Sequence, residues 1–304
     1  MPSSALSLSN NPESYTGRFA PSPTGPLHFG SLLTAIASYL DARARKGRWL
    51  VRMEDIDPPR EPVGAASEIL RQLEQFNLLW DGAVLYQSTR LDAYSDVLSH
   101  LSKANLCYAC TCTRSDIRAM KGIYDGHCRE LDHCSDQCSV RLRTTPAEIA
   151  FNDVVQGGIR AQIATQVGDF IIRRKDGLFA YQLAVVVDDE YQGITDVVRG
   201  YDLLESTPRQ IYLQNQLEYK TPRYAHIPVI TDNNGEKLSK QRFAAPIMAS
   251  HSLSLTHRAL QILEQAPPPL SEFSNNAEML EWAIKHWDIQ AVPKLANITP
   301  ANLQ

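Results

Sequence analysis

Two short segments carry residue types suited to phosphate chemistry. The first is Pro21-Ser22-Pro23-Thr24-Gly25-Pro26-Leu27-His28-Phe29-Gly30-Ser31. Its prolines and glycines stiffen a loop between a strand predicted over 15–20 and a helix predicted over 31–46, whose Leu32, Leu33, Ile36 and Leu40 share one face. A strand, a tight loop and a helix start present free backbone N–H groups and the positive end of the helix dipole to an anion. His28 adds a donor for charge developing on a phosphate, and Gly30 leaves room for a flat ligand against the backbone. The second segment, Lys237-Leu238-Ser239-Lys240-Gln241, follows the turn-forming Asp232-Asn233-Asn234-Gly235. Lysine is a mobile point charge, suited to following a departing phosphate group, and Lys240 is the first choice for that role with Lys237 helping. A lysine pair alone reads as a solvated surface, and a Pro-rich turn alone as an ordinary turn. Their occurrence together in this order gives the signal its weight.

Three charged residues stand at motif edges: Arg18 before the loop, Glu54 after a strand predicted over 48–53, and Arg199 after one predicted over 194–198. Open α/β sheets bind ligands at the C-terminal ends of their strands. Their joint placement at such edges marks them as candidate ligand-binding charges. Each residue alone reads as a surface ion pair. The elements that must hold them are the strands 15–20, 48–53, 178–188 and 194–198, alternating with helices 31–46, 62–77, 90–104 and 208–219. That alternation predicts an α/β, doubly wound parallel sheet. Thr207 as N-cap, Pro208 at the first helical position and Gln210 three residues after the cap predict the start of the last helix. Residues 105–177 interrupt the alternation and are expected to form an inserted subdomain.

All six cysteines, Cys107, Cys110, Cys112, Cys128, Cys134 and Cys138, fall in that insertion. The start Met1-Pro2-Ser3-Ser4 lacks the basic and apolar regions of a signal peptide, and no apolar run approaches membrane length, so a cytoplasmic protein is expected. Clustered thiols there bind metal more often than they form disulfides, and a structural zinc is the reading. Spacing alone favours Cys107-x-x-Cys110 with Cys134-x-x-x-Cys138. His127 and His133 read as surface histidines.

At 304 residues, 43% hydrophobic and 21% charged, the composition is that of an ordinary globular protein. A formal charge of −4 and a pI near 6.1 exclude a general nucleic-acid binder, so any RNA must meet a local basic surface. Candidates are Arg43, Arg45, Lys46 and Arg48, and Lys103, Arg114, Arg118, Lys121, Arg129, Arg141 and Arg143 around the cysteines. The Ser/Asn-rich residues 1–14 read as a disordered tail.

The two phosphate segments resemble the HIGH and KMSKS signatures of class I aminoacyl-tRNA synthetases, which join an amino acid to AMP. Ser31 stands at the second histidine position of the first signature. Arg18-Phe19-Ala20-Pro21-Ser22-Pro23-Thr24-Gly25, Val51-Arg52-Met53-Glu54-Asp55-Ile56-Asp57, Val186-Val187-Asp188-Asp189 and Ile194 to Leu204 are similar to glutamyl-tRNA synthetases, from about Gly17 to Gln241. Residues 241–304, broken by Pro267-Pro268-Pro269, are too few for the anticodon-binding region those enzymes carry there, and read as a short helical tail. That combination resembles the glutamyl-queuosine tRNA(Asp) synthetases.

The resemblance implies activation of L-glutamate by ATP with Mg²⁺ and without tRNA, then transfer of the glutamyl group to queuosine in the anticodon of tRNA(Asp), by a monomer. It implies that Arg18, Phe19, Ala20, Pro21, Ser22, Tyr181 and Arg199 hold glutamate and Glu54 its ammonium. His28, Gly30, Ser31, Lys237, Ser239 and Lys240 would hold ATP, with His28 and Lys240 catalytic. For zinc it implies Cys110, Cys112, Tyr124 and Cys128, leaving Cys107, Cys134 and Cys138 unassigned. The implied organisation is 1–14 tail, 15–104 first half of the nucleotide-binding fold, 105–177 zinc and acceptor-binding insertion, 178–245 second half and 246–304 tail. Rival readings are a truncated glutamyl-tRNA synthetase charging a tRNA 3′ end, another ligase or nucleotidyltransferase of the same fold, and a non-catalytic tRNA-binding paralogue.

Overall fold

The computed structural model describes residues 14–120, 122–131, 137–231 and 247–299. Residues 1–13, Lys121, His133, Cys134, Lys237, Ser239, Lys240 and Gln241 lie outside them. In chain order the elements are β1 (Thr16–Phe19), α1 (Phe29–Ala44), β2 (Arg48–Met53), α2 (Ala65–Gln75), β3 (Leu85–Tyr86), α3 (Leu91–Lys103), β4 (Cys107–Cys110) and α4 (Arg114–Ala119). Then come β5 (Ser139–Leu142), β6 (Glu148–Asp153), β7 (Gly157–Gln162), β8 (Ile171–Arg173), α5 (Tyr181–Tyr191), β9 (Asp196–Gly200), α6 (Thr207–Gln216), β10 (Arg223–Ile227) and β11 (Val229–Ile230). Finally α7 (Ser252–Ile262), α8 (Asn276–His286) and β12 (Asn297–Ile298) follow.

The central sheet has the order β10-β9-β1-β2-β3 and is parallel throughout, so its strands end on one side. Strand alternation sorts its residues by face. Phe19, Trp49, Val51, Met53 and Val198 join the core beneath α1, while Leu50 and Val197 join the core beneath α3, α5 and α6. Arg18, Arg52 and Arg199 therefore emerge on the α5 face, each 3% exposed or less.

One expected strand is a helix. Residues 178–188 contain the apolar run Leu183–Val187, and α5 is buried continuously from Leu183 to Asp189. A helix buried on all sides shows no amphipathic stripe, so its period cannot be told from that of a buried strand. The last helix also starts one residue earlier than expected: Ser206 is its N-cap, and Thr207 and Gln210 face inward. Strands β3 and β10 carried too short or too mixed a pattern to be read from sequence.

Between α3 and α5 the chain forms an antiparallel β4-β5-β8 sheet and a β6-β7 hairpin. Helices α7 and α8 pack on α1 and give Leu260, Leu263, Met279, Leu280 and Ala283 to the core that α1 shares with the sheet. β12 then pairs with β11. No helix among the described residues is long and apolar enough to cross a membrane.

Candidate active site and metal centre

A cleft of about 490 Å³ opens where β1, β2 and β9 end. Every described residue expected to hold substrate lines it: Arg18, Phe19, Ala20, Pro21, Ser22, His28, Gly30, Ser31, Glu54, Tyr181 and Arg199.

On one wall, His28 is the N-cap of α1. Its Nδ1 accepts the backbone N–H of Ser31 (3.2 Å), and Ser31 Oγ accepts the backbone N–H of His28 (2.9 Å), a reciprocal capping box. The departure from the HIGH signature at Ser31 thus completes the helix start. The network assigns the proton to Nε2, leaving that N–H as a donor. Burial lowers the imidazole pKa, so the ring is neutral at pH 7. A Cβ on Gly30 would lie 3.1 Å from His28 Cε1, so the glycine makes room for the imidazole itself.

The opposite wall is a ladder of buried charge. Arg18 forks onto Asp189, Nε to Oδ1 at 3.1 Å and Nη2 to Oδ2 at 3.4 Å. Arg52, fully buried, reaches the same Oδ1 at 2.8 Å and Gln192 Oε1 at 2.8 Å, while its Nη2 lies 3.7 Å from Glu54 Oε1. Burial opposes ionisation of Asp189, but Arg18 and Arg52 outweigh it and hold that carboxyl below the usual range. For Glu54 burial wins: its pKa is pushed up to about 7 despite Arg52 and Arg18. Asp188 points away, taking Tyr94 Oη at 2.5 Å, Gln87 Nε2 at 2.9 Å and Arg90 Nε at 3.1 Å.

Arg199 is held on three sides. Its Nε donates to His226 Nε2 (3.0 Å), its Nη2 to Thr207 Oγ1 and Gln210 Oε1 (both 2.8 Å), and its Nη1 to Tyr181 Oη (3.4 Å). Guanidinium has five N–H groups, so one on Nη1 is left without an acceptor among the described residues. Tyr181 accepts from Arg199, which frees its own O–H to donate. Together they can receive one carboxylate. Arg52, Asp189, Thr207, Gln210 and His226 were not anticipated as site residues; the available signal was charged or polar residues inside runs otherwise reading as buried elements.

In the insertion, the thiols of Cys110, Cys112 and Cys128 lie within 4.8 Å of one another, Cys112 and Cys128 at 3.5 Å. Tyr124 Oη is 3.5 Å from Cys110 Sγ and 3.8 Å from Cys112 Sγ. Tetrahedral zinc with Zn–S of about 2.3 Å separates its sulfurs by about 3.8 Å, so this donor set fits such an ion. Burial pushes the Cys112 thiol up to about 11, and a bound cation is what would deprotonate it. Arg141 Nε donates to Cys110 Sγ at 3.1 Å, and the backbone N–H of Cys128 donates to Tyr124 Oη at 2.8 Å, both favouring the anionic ligands. Of the set that spacing favoured, Cys134 lies outside the described residues, and Cys107 does not join Cys110. Cys107 and Cys110 are three apart on β4 and so face opposite sides, Cys107 toward the core beneath α3, α5 and α6. Cys138 is not among the converging thiols.

Of the expected basic surface, Arg45, Lys46, Arg48, Lys103, Arg114 and Arg118 are exposed, and three other arginines serve internal contacts. Arg43 bonds Asp81, Arg129 bonds Asp169, and Arg141 is buried against the cysteine cluster.

The family described as tRNA synthetases class I (E and Q), catalytic domain, matches residues 15–253. The glutamyl-Q tRNA(Asp) synthetase of Pseudomonas fluorescens is 51% identical over 290 residues, covering 95% of this chain and 97% of that one. The protein of the same name from Pseudomonas aeruginosa is 50% identical over 290 residues, covering 95% and 99%. In fold, the chain is similar to a glutamate tRNA ligase of Elizabethkingia meningosepticum, with a TM-score of 0.75 and 23% identity over 93% of this chain, and it spans 66% of that longer protein. A glutamate-tRNA synthetase of Elizabethkingia anophelis gives a TM-score of 0.76 at 24% identity, covering 93% and 67%. With the start of α1 capped by His28, its charged cleft at the strand ends and these relatives, the chain belongs to the class I tRNA synthetases of the E and Q type, within the glutamyl-Q tRNA(Asp) synthetase family.

Proposed function

We propose that this protein activates L-glutamate with ATP in the absence of tRNA and transfers the glutamyl group to queuosine in the anticodon of tRNA(Asp), acting as a cytoplasmic monomer. The observation that carries the first step is the meeting, in one cleft, of an anion-binding helix start with Arg18, Glu54, Tyr181 and Arg199. One carboxylate of glutamate is received by Tyr181 O–H and the remaining Arg199 N–H, its ammonium by Glu54, and Arg18 and Ser22 complete the pocket with the 19–21 backbone. Gly30 and Ser31, with Lys237 and Ser239, hold ATP over the start of α1.

No protein nucleophile or general base is needed in the first step. A carboxylate oxygen of glutamate attacks the α-phosphorus, the bond to pyrophosphate breaks, and glutamyl-adenylate forms. Positioning and electrostatics supply the catalysis. His28 donates from Nε2 to the charge developing on the phosphate, and Lys240 follows the pyrophosphate. ATP brings its own Mg²⁺, which neutralises phosphate charge. In the second step a queuosine hydroxyl attacks the glutamyl carbonyl, AMP leaves and an ester forms. The 105–177 insertion is the acceptor-binding unit, with one structural zinc on Cys110, Cys112, Tyr124 and Cys128.

The test is ATP–pyrophosphate exchange in the absence of tRNA. Glutamate should support it and glutamine poorly, because a neutral amide leaves the arginines without their anion. Arg199→Ala should impair glutamate use far more than ATP binding. Exchange strictly dependent on tRNA would contradict the proposal.

A further inference from the structure

We infer that Asp153 and His226 form a positioning pair that sets the orientation of Arg199 in the amino-acid pocket. The inference rests on the proposed reading of that pocket. Neither residue lines the cleft, and His226 is fully buried on β10. Asp153 ends β6, so it belongs to the inserted segment and reaches back to the edge of the central sheet.

The two oxygens of Asp153 have different duties. Oδ1 accepts the backbone N–H groups of Val155 (3.0 Å), Gln156 (2.9 Å) and His226 (3.1 Å). Oδ2 lies 2.6 Å from His226 Nδ1. A carboxylate there requires Nδ1 to carry the proton, which leaves Nε2 of the neutral ring as an acceptor. That lone pair faces the Nε–H of Arg199 at 3.0 Å, with the Thr207 hydroxyl also 3.1 Å from the same nitrogen. With Thr207, Gln210 and Tyr181 on the other nitrogens, it fixes the guanidinium so that its one spare N–H serves the pocket. A tautomer error at His226 would set N–H against N–H and turn Arg199 out of place.

Asp153→Asn is the discriminating variant. Three backbone donors hold the amide oxygen at the Oδ1 position, so the NH₂ group must face His226 Nδ1. The ring then has to accept at Nδ1 and carry its proton on Nε2, opposing Arg199. A pair that merely fastens the β6-β7 hairpin would tolerate this isosteric change, because the backbone contacts survive.

The readouts are ¹⁵N spectroscopy of the histidine rings and exchange kinetics on the full chain. Wild-type His226 should be the Nδ1–H tautomer, and Asp153→Asn should convert it to Nε2–H. The Nε2–H can turn to the Thr207 hydroxyl, but the Arg199 Nε–H then loses its acceptor. The variant should therefore raise KM for glutamate by about tenfold or more, the cost of an unpaired buried donor, with KM for ATP and zinc content unchanged. A folded variant with unchanged glutamate KM overturns the inference. So does an Nε2–H ring in the wild type, a measurement that needs no variant to fold. Wild-type protein with the expected tautomer but no glutamate-dependent exchange would instead overturn the reading of the pocket, and the inference with it.

Discussion

Binding of glutamate should release a proton below pH 7. Burial holds the Glu54 carboxyl at about 7 in the empty pocket, against an ordinary 4.5. An incoming ammonium requires the carboxylate, so binding and ionisation are linked. With a pKa near 7, about nine-tenths of Glu54 is protonated at pH 6 and about one-tenth at pH 8. Binding should therefore release about 0.9 proton at pH 6 and about 0.1 at pH 8, and affinity should fall about tenfold between pH 8 and pH 6, or about 1.4 kcal/mol. The same shift has an opposite sign for the unliganded fold. A carboxyl whose folded pKa is raised keeps its proton longer than the unfolded chain does, so its contribution to stability is lost as pH rises from about 4.5 to about 7. At about 1.4 kcal/mol per unit that loss is about 3 kcal/mol. Calorimetry in buffers of different ionisation enthalpy reads the proton count directly. Glu54→Gln should abolish the release, bind glutamate poorly and be more stable than the parent above pH 7. Buffer-independent heats at pH 6, or release that persists in Glu54→Gln, would refute the reasoning.

The metal centre gives a sharper genetic contrast. Cys112→Ser and Cys128→Ser should lose bound zinc and loosen the insertion, whereas Cys134→Ser should keep it, as metal analysis of the purified variants will report. At Gly30, activity should suffer more than stability. Gly30→Ala adds a better helix former worth about 0.5–1 kcal/mol, yet its Cβ would stand 3.1 Å from His28 Cε1 and displace the imidazole. Loss of the His28 cap offsets that gain, so the variant should melt close to the parent yet exchange pyrophosphate more slowly at saturating glutamate.

What could be read from the sequence was the local part of the design. The His28 loop, the α1 stripe and the strand ends at Arg18, Glu54 and Arg199 are short-range patterns; the loop and the strand ends come together in one cleft, while the stripe packs in the core. The helix α5 was misread because burial on every side erases the period that distinguishes it from a strand. The supports of Arg199 were hidden for a different reason. Thr207 and Gln210 matched a capping pattern locally, but tertiary contact with a guanidinium overrides that use. His226 and Asp153 are 73 residues apart, and nothing in either neighbourhood announces the pairing. Strand alternation did hold the answer for the cysteines: a three-residue spacing on β4 separates Cys107 from Cys110, once the segment is known to be a strand.

The most direct measurement of the central claim follows labelled glutamate onto tRNA. Two forms of tRNA(Asp), one trimmed of its 3′ adenosine and one lacking queuosine, are incubated with the protein, ATP and Mg²⁺. The account predicts that label survives trimming and disappears without queuosine. Label that is lost on trimming and retained without queuosine would contradict it, and would make this a synthetase that charges the 3′ end.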